Sequence, residues 1–521
     1  MEHKDLVKNL SVLPFLAEPD KGEQNIYQSI GVEPIINCRG TFTIIGGSVE
    51  RPEVLAAMDE ASGYFVQYDE LAAAVGQKLA DITGAEWGMI PAGCAAGLKH
   101  VTAACVTGGN PEKLIRIPHL TGMDKTQVII PRYSRNVYDH AVRSIGVEIV
   151  MVETPEELKR AINSRTAMIY LNAGEGSATG QPLSLEVIAD TAQPDAIPIL
   201  IDAAAEVLTI PNVHLERGAT VVAYSGGKAL CGPQCAGLLL GSKALLQSAW
   251  QASAPHHGPG RDNKIGKEEI MGMLAAVETW VTRDHAGEWQ TWLSLLDIIA
   301  KRVSTLNTVT TQVIERTALS NRAPVLTIYW DPAALHITGE EVAENFARNK
   351  PRVAVGSGNE DNKTFITIAP NQMQPGNETV VAERVYQILA QQRSPKSAEQ
   401  IAATMDISGH WDLKVDFFSS TSLHQLFLQQ EGNWLTGFHK SDFSNQEVVG
   451  MLEGDQVKLQ SAVQRPGDSV PFLFSGSVSG DTISGAVYMG EYLTAKFTAQ
   501  HATYRKEPTP ITIPGGPPLA T

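Results

Sequence analysis

The hydrophobic positions of the chain follow two different rhythms. Between about residues 30 and 240, short apolar runs such as "TQVIIP", "GVEIVMVE", "TAMIYLN" and "IPILIDAAAE" alternate with helical periods such as "SLEVIADTAQ". Strands that alternate with helices in this way are typical of a mostly parallel sheet. We therefore predict an α/β domain for this part of the chain.

A long helical stretch, "KEEIMGMLAAVETWVTRDHAGEWQTWLSLLDIIAKRVSTL", follows the α/β pattern. Beyond it, apolar runs such as "APVLTIYWD" and "FITIAP" are mixed with helical periods such as "ETVVAERVYQILAQQ". This mixture predicts a small α/β subdomain that packs on the first domain.

From residue 409, apolar and polar positions alternate with a period of two. The runs are "HWDLKVDFF", "HQLFLQQ", "NWLTGFHK", "EVVGMLE", "QVKLQSAV", "PFLFSGSVS", "TISGAVYM" and "YLTAKFTAQ". Turn signals separate several of them, at Glu431-Gly432-Asn433, Glu453-Gly454-Asp455 and Ser479-Gly480-Asp481. A meander of eight short strands predicts a small closed antiparallel barrel, and its "SGHW" opening resembles lipocalin-like barrels.

These patterns divide the chain into six predicted segments. They are an N-terminal arm (1–30), a large α/β domain (31–300), a small α/β subdomain (301–393), a linker (394–408), an antiparallel β-barrel (409–505) and a disordered tail (506–521). The linker begins in the polar stretch "QQRSPKSAEQ", and the tail "PTPITIPGGPPLAT" is rich in proline and glycine. Few contacts are expected to cross such a linker, and such a tail buries too little apolar surface to fold.

Composition and charge limit the partners of the chain. The 521 residues are 43% hydrophobic and 19% charged, as in an ordinary globular protein, and the net charge is −16. Because nucleic acids and anionic membranes are bound by basic surfaces, neither is an expected partner. The N-terminus shows no signal peptide and no run is long enough to span a bilayer, so a cytoplasmic location is expected.

The five cysteines, an odd number, do not have the spacing of a metal site. Cys231 and Cys235 stand four residues apart, with no second pair to complete a ligand set. We therefore expect reduced, buried thiols and no metal.

The stretch "AYSGGKALCGPQCAGLLLG" sets a single lysine, Lys228, among small residues. The preceding sequence predicts a strand from Ala219 to Tyr224, so that the loop presents Lys228 at an edge of the sheet. Desolvation there lowers the pKa of an amine and makes it a nucleophile suited to Schiff-base chemistry. Taken alone, a loop lysine is more often simply solvated.

Residues at two other strand ends could act together with such a lysine. The buried run "IPILIDAAAEV" contains Asp202 at its end, where a carboxylate needs a cation such as a protonated pyridine nitrogen, unless it only caps a helix. In "WGMIPAGCAAGLKHVTAACV", the amides of Gly93, Cys94 and Ala95 precede a helix and suit a phosphate, although such turns are common.

The phosphate turn, the aspartate and the lysine follow one another along the chain in this order. Together they resemble the large domain of fold-type-I enzymes that depend on pyridoxal 5′-phosphate (PLP). Four motifs, "IYQSIGVEPIINCRGTFTIIGGS", "YDHAVRSIGVEIV", "YSGGKALCGPQCAGLLLG" and "GRDNKIGKEEIMGMLAAVE", narrow the resemblance. They are similar to the selenocysteine-synthase-related family, which includes seryl-tRNA(Sec) selenium transferase and the D-glucosaminate-6-phosphate ammonia lyases. The similarity covers about residues 25 to 392.

The resemblance implies roles for several residues. Lys228 would be the Schiff-base lysine, Asp202 the partner of the pyridine nitrogen, and residues 93–95 the phosphate turn, with Ser225 as a further phosphate ligand. The motif "GRDNKIGK" would supply basic residues that reach the cofactor phosphate or the substrate, often across a dimer interface; they are Arg261, Lys264 and Lys267. The alternative interpretation is that these basic residues only form the solvent-exposed start of a helix.

The chain also departs from the family pattern. Relatives often have histidine where this chain has Ser134, which leaves Tyr133, Arg135 and His140 as other candidates to lie against the pyridine ring. The selenium transferases hold tRNA with an extra N-terminal domain, whereas only residues 1–30 precede the PLP domain here. A tRNA substrate is therefore not expected.

We expect a PLP-dependent lyase or transferase of amino acid metabolism that removes the α-proton of a small amino acid. The family favours β-elimination, as in an ammonia lyase, from a hydroxylated or phosphorylated amino acid. Racemisation or epimerisation, retro-aldol cleavage and transamination use the same framework and stay open. A degenerate PLP fold that serves only as a binding module is the non-enzyme alternative. A homodimer or a higher even oligomer is expected.

Overall fold

The structure is a computed structural model, and it describes residues 25–395, 401–461 and 470–502. The chain divides into two compact units, Met1–Pro395 and Lys396–Thr521. Several predictions fall outside the described residues: the arm over 1–24, the linker over 396–400, the barrel over 462–469 and 503–505, and the whole disordered tail.

The described part of the first unit contains thirteen strands. In chain order they are β1 (Ile35–Asn37), β2 (Trp87–Met89), β3 (Gln127–Pro131), β4 (Glu148–Val152), β5 (Thr166–Asn172), β6 (Ile199–Asp202), β7 (Val221–Ser225), β8 (Gly237–Gly241), β9 (Val309–Glu315), β10 (Pro324–Trp330), β11 (Arg352–Ala354), β12 (Gly356–Glu360) and β13 (Lys363–Ile368).

The helices of the same described residues lie between these strands. They are α1 (Pro52–Ser62), α2 (Tyr68–Thr83), α3 (Cys94–Thr107), α4 (Pro111–Leu114), α5 (His140–Arg143), α6 (Pro155–Ala161), α7 (Leu185–Ala192), α8 (Val213–Glu216), α9 (Lys243–Ala252), α10 (Lys267–Thr282), α11 (His285–Val303), α12 (Pro332–Leu335), α13 (Gly339–Arg348) and α14 (Asn377–Ala390). Short 3₁₀ helices cover Gln28–Ile30, Thr43–Ile45, Arg132–Ser134, Val137–Asp139, Glu175–Ser177 and Gln193–Asp195.

Within residues 25–395, a seven-stranded sheet forms the centre of the large domain, in the order β2-β8-β7-β6-β5-β3-β4. The strands from β3 to β7 pair in parallel with one another, and β8 is antiparallel to both β7 and β2. Two apolar clusters cover its two faces, because side chains of each central strand alternate between them, as Ile129 and Val128 do. The predicted mostly parallel α/β fold is confirmed.

A second, four-stranded sheet, in the order β12-β13-β10-β9, carries the small subdomain. Its pairings are antiparallel. The apolar cluster on this sheet includes Leu296, Ile299 and Val303 of α11 and also Cys38, which follows β1. Strand β1 pairs in parallel with β11, so the packing of the small subdomain involves residues far apart in the sequence.

The long helical stretch predicted after the α/β pattern is two helices, because it breaks between α10 and α11. Arg283 follows α10 in an extended conformation, with ψ 140°. The carboxylate of Asp284 then caps α11 by accepting a hydrogen bond from the Gly287 N–H at 2.9 Å. The break turns the chain at Arg283, at the wall of the cleft described below.

The described residues of the second unit form a closed barrel. Its strands are β14 (Gly409–Asp416), β15 (Thr421–Glu431), β16 (Trp434–Lys440), β17 (Asn445–Glu453), β18 (Gln456–Ser461), β19 (Leu473–Ser479), β20 (Thr482–Met489) and β21 (Tyr492–Ala502). Each strand pairs antiparallel with the next, and β21 closes the sheet on β14. Buried and exposed positions alternate, so that Trp411, Leu413 and Val415 of β14 lie inside. The predicted barrel is confirmed.

All five cysteines lie in the described part of the chain and are free thiols. Cys38 and Cys94 are buried, as expected, but Cys235 is exposed in the loop between β7 and β8. Burial was therefore the wrong expectation for Cys235, and Cys105 and Cys231 are only partly buried. Among the described helices, none has the length and apolar character needed to cross a membrane.

Candidate active site

Lys228 follows β7 and faces a large cleft of the first unit. The cleft has a volume of about 1430 Å³ and lies between the large domain and the small subdomain. The residues on its wall include Arg39, Tyr138, Lys228, Ala229, Trp280, Arg283, Glu288, Arg316, Arg322 and Gln372. Among the described residues, Lys228 Nζ has no hydrogen-bond or ion-pair partner, so the amine is available to a bound molecule.

The glycines before the lysine are required by close packing. A Cβ atom on Gly226 would lie 2.7 Å from Ala236 O, and one on Gly227 would lie 2.6 Å from Gln234 Cα. Any side chain at these two positions would displace the backbone on the far side of the loop. The pair therefore fixes where the loop leaves β7 and where Lys228 begins.

Asp202 ends β6, beside β7, and is 5% exposed. Its Oδ2 accepts a hydrogen bond from Tyr170 Oη at 3.1 Å, and its Oδ1 accepts one from the Ala204 N–H at 3.0 Å. Burial raises the pKa of the Asp202 carboxyl, and these donors and the charge of Lys228 oppose the shift. The ionised carboxylate is thus costly in this position unless a cation joins it.

The predicted phosphate turn lies next to this carboxylate. Cys94 begins α3, and its Sγ donates to Asp202 Oδ1 at 3.6 Å. Burial, and then the charge of Asp202, raise the pKa of the Cys94 thiol, so the thiol stays a donor. Gly93 has φ 92°, a left-handed conformation that favours glycine.

The amides of the turn are not equivalent. The Gly93 N–H already donates to Pro91 O at 2.8 Å, and the helix begins its own bonding with the Gly97 N–H to Gly93 O at 3.1 Å. The N–H groups of Cys94 and Ala95 precede that first helical bond and point out of the helix end. They are the donors that an anion would meet there.

Ser225 lies beside the same turn. It is the last residue of β7 and pairs with Gly237 of β8, and a Cβ atom on Gly237 would lie 2.7 Å from Cys94 N. Strand β8 therefore passes directly behind the turn. The Ser225 hydroxyl has no hydrogen-bond partner among the described residues.

The four candidates to lie against a cofactor ring are in different surroundings. Ser134 is buried, and its Oγ accepts the Asn172 N–H at 2.9 Å; Asn172 is paired with Asp202 in the sheet register. Tyr133 donates to Leu183 O at 2.8 Å, and burial raises the pKa of its hydroxyl to about 12. The structure thus brings Ser134 to the strand beside Asp202.

The other two candidates are held elsewhere or exposed. Arg135 Nε lies 2.5 Å from the buried carboxylate of Asp139, which also binds Arg143 at 2.8 Å. His140 is exposed at the start of α5. Arg135 therefore contributes to a structural ion cluster in this chain.

The basic motif "GRDNKIGK" does not reach the wall of the cleft within this chain. Lys267 Nζ donates to Ala61 O at 3.0 Å, at the C-terminal end of α1, and also pairs with Glu268. Arg261 and Lys264 are exposed. Lys267 thus stabilises the end of α1, as expected of a cation near helix carbonyls.

Sequence reasoning missed several residues that the structure places here. Tyr170, on β5, donates to Asp202, and the cleft wall carries Arg283, Glu288, Arg316 and Arg322. One feature of the sequence could have indicated the position of Arg283. Aspartate is a preferred N-cap residue, so Asp284 could have indicated that a second helix begins within the helical stretch. Arg283 would then have been placed between two helices.

Comparisons with known proteins agree with this geometry. The class-V aminotransferase profile matches residues 138–260. A D-glucosaminate-6-phosphate ammonia lyase of Salmonella typhimurium is 31% identical over 292 residues, which are 54% of this chain and 76% of that protein. The chain belongs to the family of this ammonia lyase. It is a PLP-dependent enzyme of fold type I, as the sequence predicted.

Two further relatives cover most of the first unit. A solved structure of D-glucosaminate-6-phosphate ammonia-lyase superposes with a TM-score of 0.62 at 26% identity, covering 71% of this chain and 99% of that one. A 5′-C-glycyluridine monooxygenase-decarboxylase of a Streptomyces species is 26% identical over 377 residues, covering 70% of this chain and 92% of that protein.

The residues at this sheet edge suit the cofactor of the family. The free amides of Cys94 and Ala95 and the hydroxyl of Ser225 are donors for a phosphate. The buried carboxylate of Asp202 requires a cation, which a protonated pyridine nitrogen supplies. The amine of Lys228 has no partner in the described residues and suits an aldehyde.

Proposed function

We propose that the enzyme is an ammonia lyase that acts on a small amino acid with a hydroxyl or phosphate group on its side chain. The similarity to the Salmonella ammonia lyase, over 76% of that protein, is the observation that carries the proposal. PLP, when bound, supplies an electron sink for the charge that develops at the α-carbon.

The residues at the sheet edge then have separate tasks in this proposal. With PLP bound, Lys228 Nζ would hold the cofactor, and its free amine would take the α-proton of the substrate. Asp202 would keep the pyridine nitrogen protonated. The N–H groups of Cys94 and Ala95 and the hydroxyl of Ser225 would bind the phosphate.

The cleft also carries unpaired cations that suit an anionic substrate. Arg39, Arg316 and Arg322 line it, are exposed, and have no carboxylate partner among the described residues. A guanidinium binds carboxylate and phosphate through two parallel hydrogen bonds. We therefore infer that the substrate carries a second anionic group besides its carboxylate.

The test is a screen of hydroxylated and phosphorylated amino acids of both configurations for release of ammonia and of a keto acid. Activity on phosphorylated compounds with the matching non-phosphorylated compounds as controls would support the proposal. Exchange of the α-hydrogen without any release of ammonia would contradict it and indicate a racemase or epimerase.

A second candidate function follows from the Streptomyces relative. That protein is a monooxygenase-decarboxylase and matches over 92% of its length, more than the ammonia lyase does, although at lower identity. An oxygen electrode distinguishes the two reactions, because oxidative decarboxylation consumes oxygen and releases carbon dioxide, whereas elimination does neither.

The enzyme is expected to be a homodimer or a higher even oligomer. Between residues 26 and 65 of the described chain, several large apolar side chains are exposed, including Ile26, Ile30, Ile44, Tyr64 and Phe65. Exposed apolar surface of this kind marks contact surfaces. Sedimentation should give at least twice the protomer mass, and Phe65→Asp should increase the monomer fraction. An active wild-type monomer would contradict this.

A chain that ends after Arg393 is expected to remain folded and to bind PLP. All residues proposed to hold the cofactor lie before the barrel, and the second unit has its own apolar core, which includes Trp411, Leu426 and Phe474. The measurement is the visible absorption of the shortened protein after purification with PLP. A colourless or insoluble product would show that the barrel is needed for the catalytic fold.

A further inference from the structure

Three charged residues lie together behind the loop that carries Lys228. Glu288, in the first turn of α11, accepts from Arg283 Nη2 at 2.8 Å and from Arg283 Nε at 3.2 Å. Arg51, just before α1, donates from Nη1 to Glu288 Oε1 at 2.8 Å. Glu288 therefore joins two arginines that are far apart in the sequence.

Both arginines also hold the backbone of the lysine loop. Arg283 Nη1 donates to Ala229 O at 3.1 Å, and the Arg51 N–H donates to Cys231 O at 3.3 Å. Ala229 directly follows Lys228, and the Cys231 N–H donates back to Lys228 O at 3.0 Å. The ion cluster thus fixes the peptide that continues from the lysine.

The surroundings make these bonds strong. The Arg283 side chain is 6% exposed, and its guanidinium carbon lies 5.0 Å from the centre of the Trp280 ring. Burial raises the pKa of Glu288, but Arg283 and Arg51 outweigh it and hold that pKa below its usual value. A charge-assisted, two-point pair with little access to water keeps a single geometry.

The loop has a second anchor that does not depend on this cluster. The Ser48 N–H donates to Gly227 O at 3.0 Å, and the Gly226 N–H donates to Ala236 O at 2.9 Å. These bonds hold the backbone before the lysine. Loss of the Arg283 bond therefore frees the Ala229 peptide on the far side of the lysine while the rest of the loop stays in place.

We propose that Arg283 and Glu288 are positioning residues that set the direction of the Lys228 side chain through the Ala229 carbonyl. This inference rests on the proposed function, in which Lys228 carries the cofactor and moves the α-proton. Arg283 acts at the backbone, and Glu288 acts by orienting Arg283. Neither residue needs to touch the substrate.

The test compares Arg283→Lys and Glu288→Gln with Asp297→Asn as the matched control. Asp297 lies on the same helix, in an exposed ion pair with Lys301. Arg283→Lys keeps the charge but cannot bind Glu288 at two points and Ala229 as well. A misplacement of about 1 Å can cost about a hundredfold in rate, so kcat should fall by up to about that factor while KM changes little.

A spectroscopic readout separates positioning from general loss of stability. In both variants the midpoint of the pH titration of the visible band of the lysine-bound cofactor should move, whereas it should stay unchanged in Asp297→Asn. The thermal unfolding transitions should remain cooperative. A Glu288→Gln enzyme with the wild-type titration and the wild-type kcat would overturn the proposal.

Two other outcomes have definite meanings. A large rise in KM with an unchanged titration in Arg283→Lys would show that Arg283 binds the substrate, and it would overturn the positioning role. If borohydride reduction fails to attach the cofactor to Lys228 even in the wild-type protein, the proposed function fails instead. The two failures are therefore distinguishable.

Discussion

Replacing Lys228 by alanine is expected to abolish turnover and covalent attachment of PLP while the fold stays intact. The Lys228 side chain faces the cleft, and its Nζ makes no hydrogen bond among the described residues. Its loss therefore removes no contact on which the core depends. Without the amine, the cofactor has no covalent link to the loop and the α-proton has no acceptor in this position.

The measurement is mass spectrometry of peptides after borohydride reduction, together with thermal unfolding. Lys301→Ala is the matched control, because Lys301 is an exposed lysine on α11. It should retain both the label and the activity. A label on a lysine other than Lys228 in the wild-type enzyme would refute the assignment.

Replacing Asp202 by asparagine is expected to lower kcat by about a hundredfold or more. Asparagine keeps the shape, and its single acceptor oxygen can accept the Ala204 N–H while its NH2 group donates to Tyr170 Oη instead of accepting from it. It cannot keep a pyridine nitrogen protonated. Because burial raises the pKa of Asp202, the ionised carboxylate itself costs folding free energy. The asparagine variant should therefore unfold at a temperature no lower than the wild type.

This contrast between rate and stability is the critical measurement for Asp202. Asp190→Asn, an exposed carboxylate on α7, is the control and should leave both quantities unchanged. Near-normal kcat in the Asp202 variant would refute the role. A large loss of thermal stability would instead indicate that Asp202 is a structural residue.

The positions of Asp202 and Lys228 could be anticipated from the sequence because parallel strands end at the same edge of a sheet. Asp202 ends β6, and Lys228 follows β7, its neighbour. The turn at Cys94 was harder to place. It follows β2, which is at the edge of the sheet and is separated from β7 by β8. The Cys94 contact with Asp202 shows that the turn and the aspartate meet, and the charge of Lys228 opposes the rise in pKa that burial causes in both groups, although the roles of the three stay predictions.

The barrel was predictable for a different reason. Each hairpin signal is local, and the period of two assigns each side chain to one face without reference to the rest of the chain. The turn at Gly432 and Asn433 lies between β15 and β16, and the turn at Gly480 and Asp481 lies between β19 and β20. Closure of β14 on β21 then follows from the number of strands.

The sequence by itself determined the parallel sheet, the barrel, the family, the cofactor and the residues at the strand ends, because each depends on a local period or on a contiguous motif. Only the tertiary structure decided which contacts are made by residues whose partners are distant in sequence. Lys267 binds the end of α1, and Arg283 joins Glu288, Arg51 and the lysine loop. No local pattern encodes such contacts, since they arise when separate elements pack on one another and bring charges from remote segments into the same buried space.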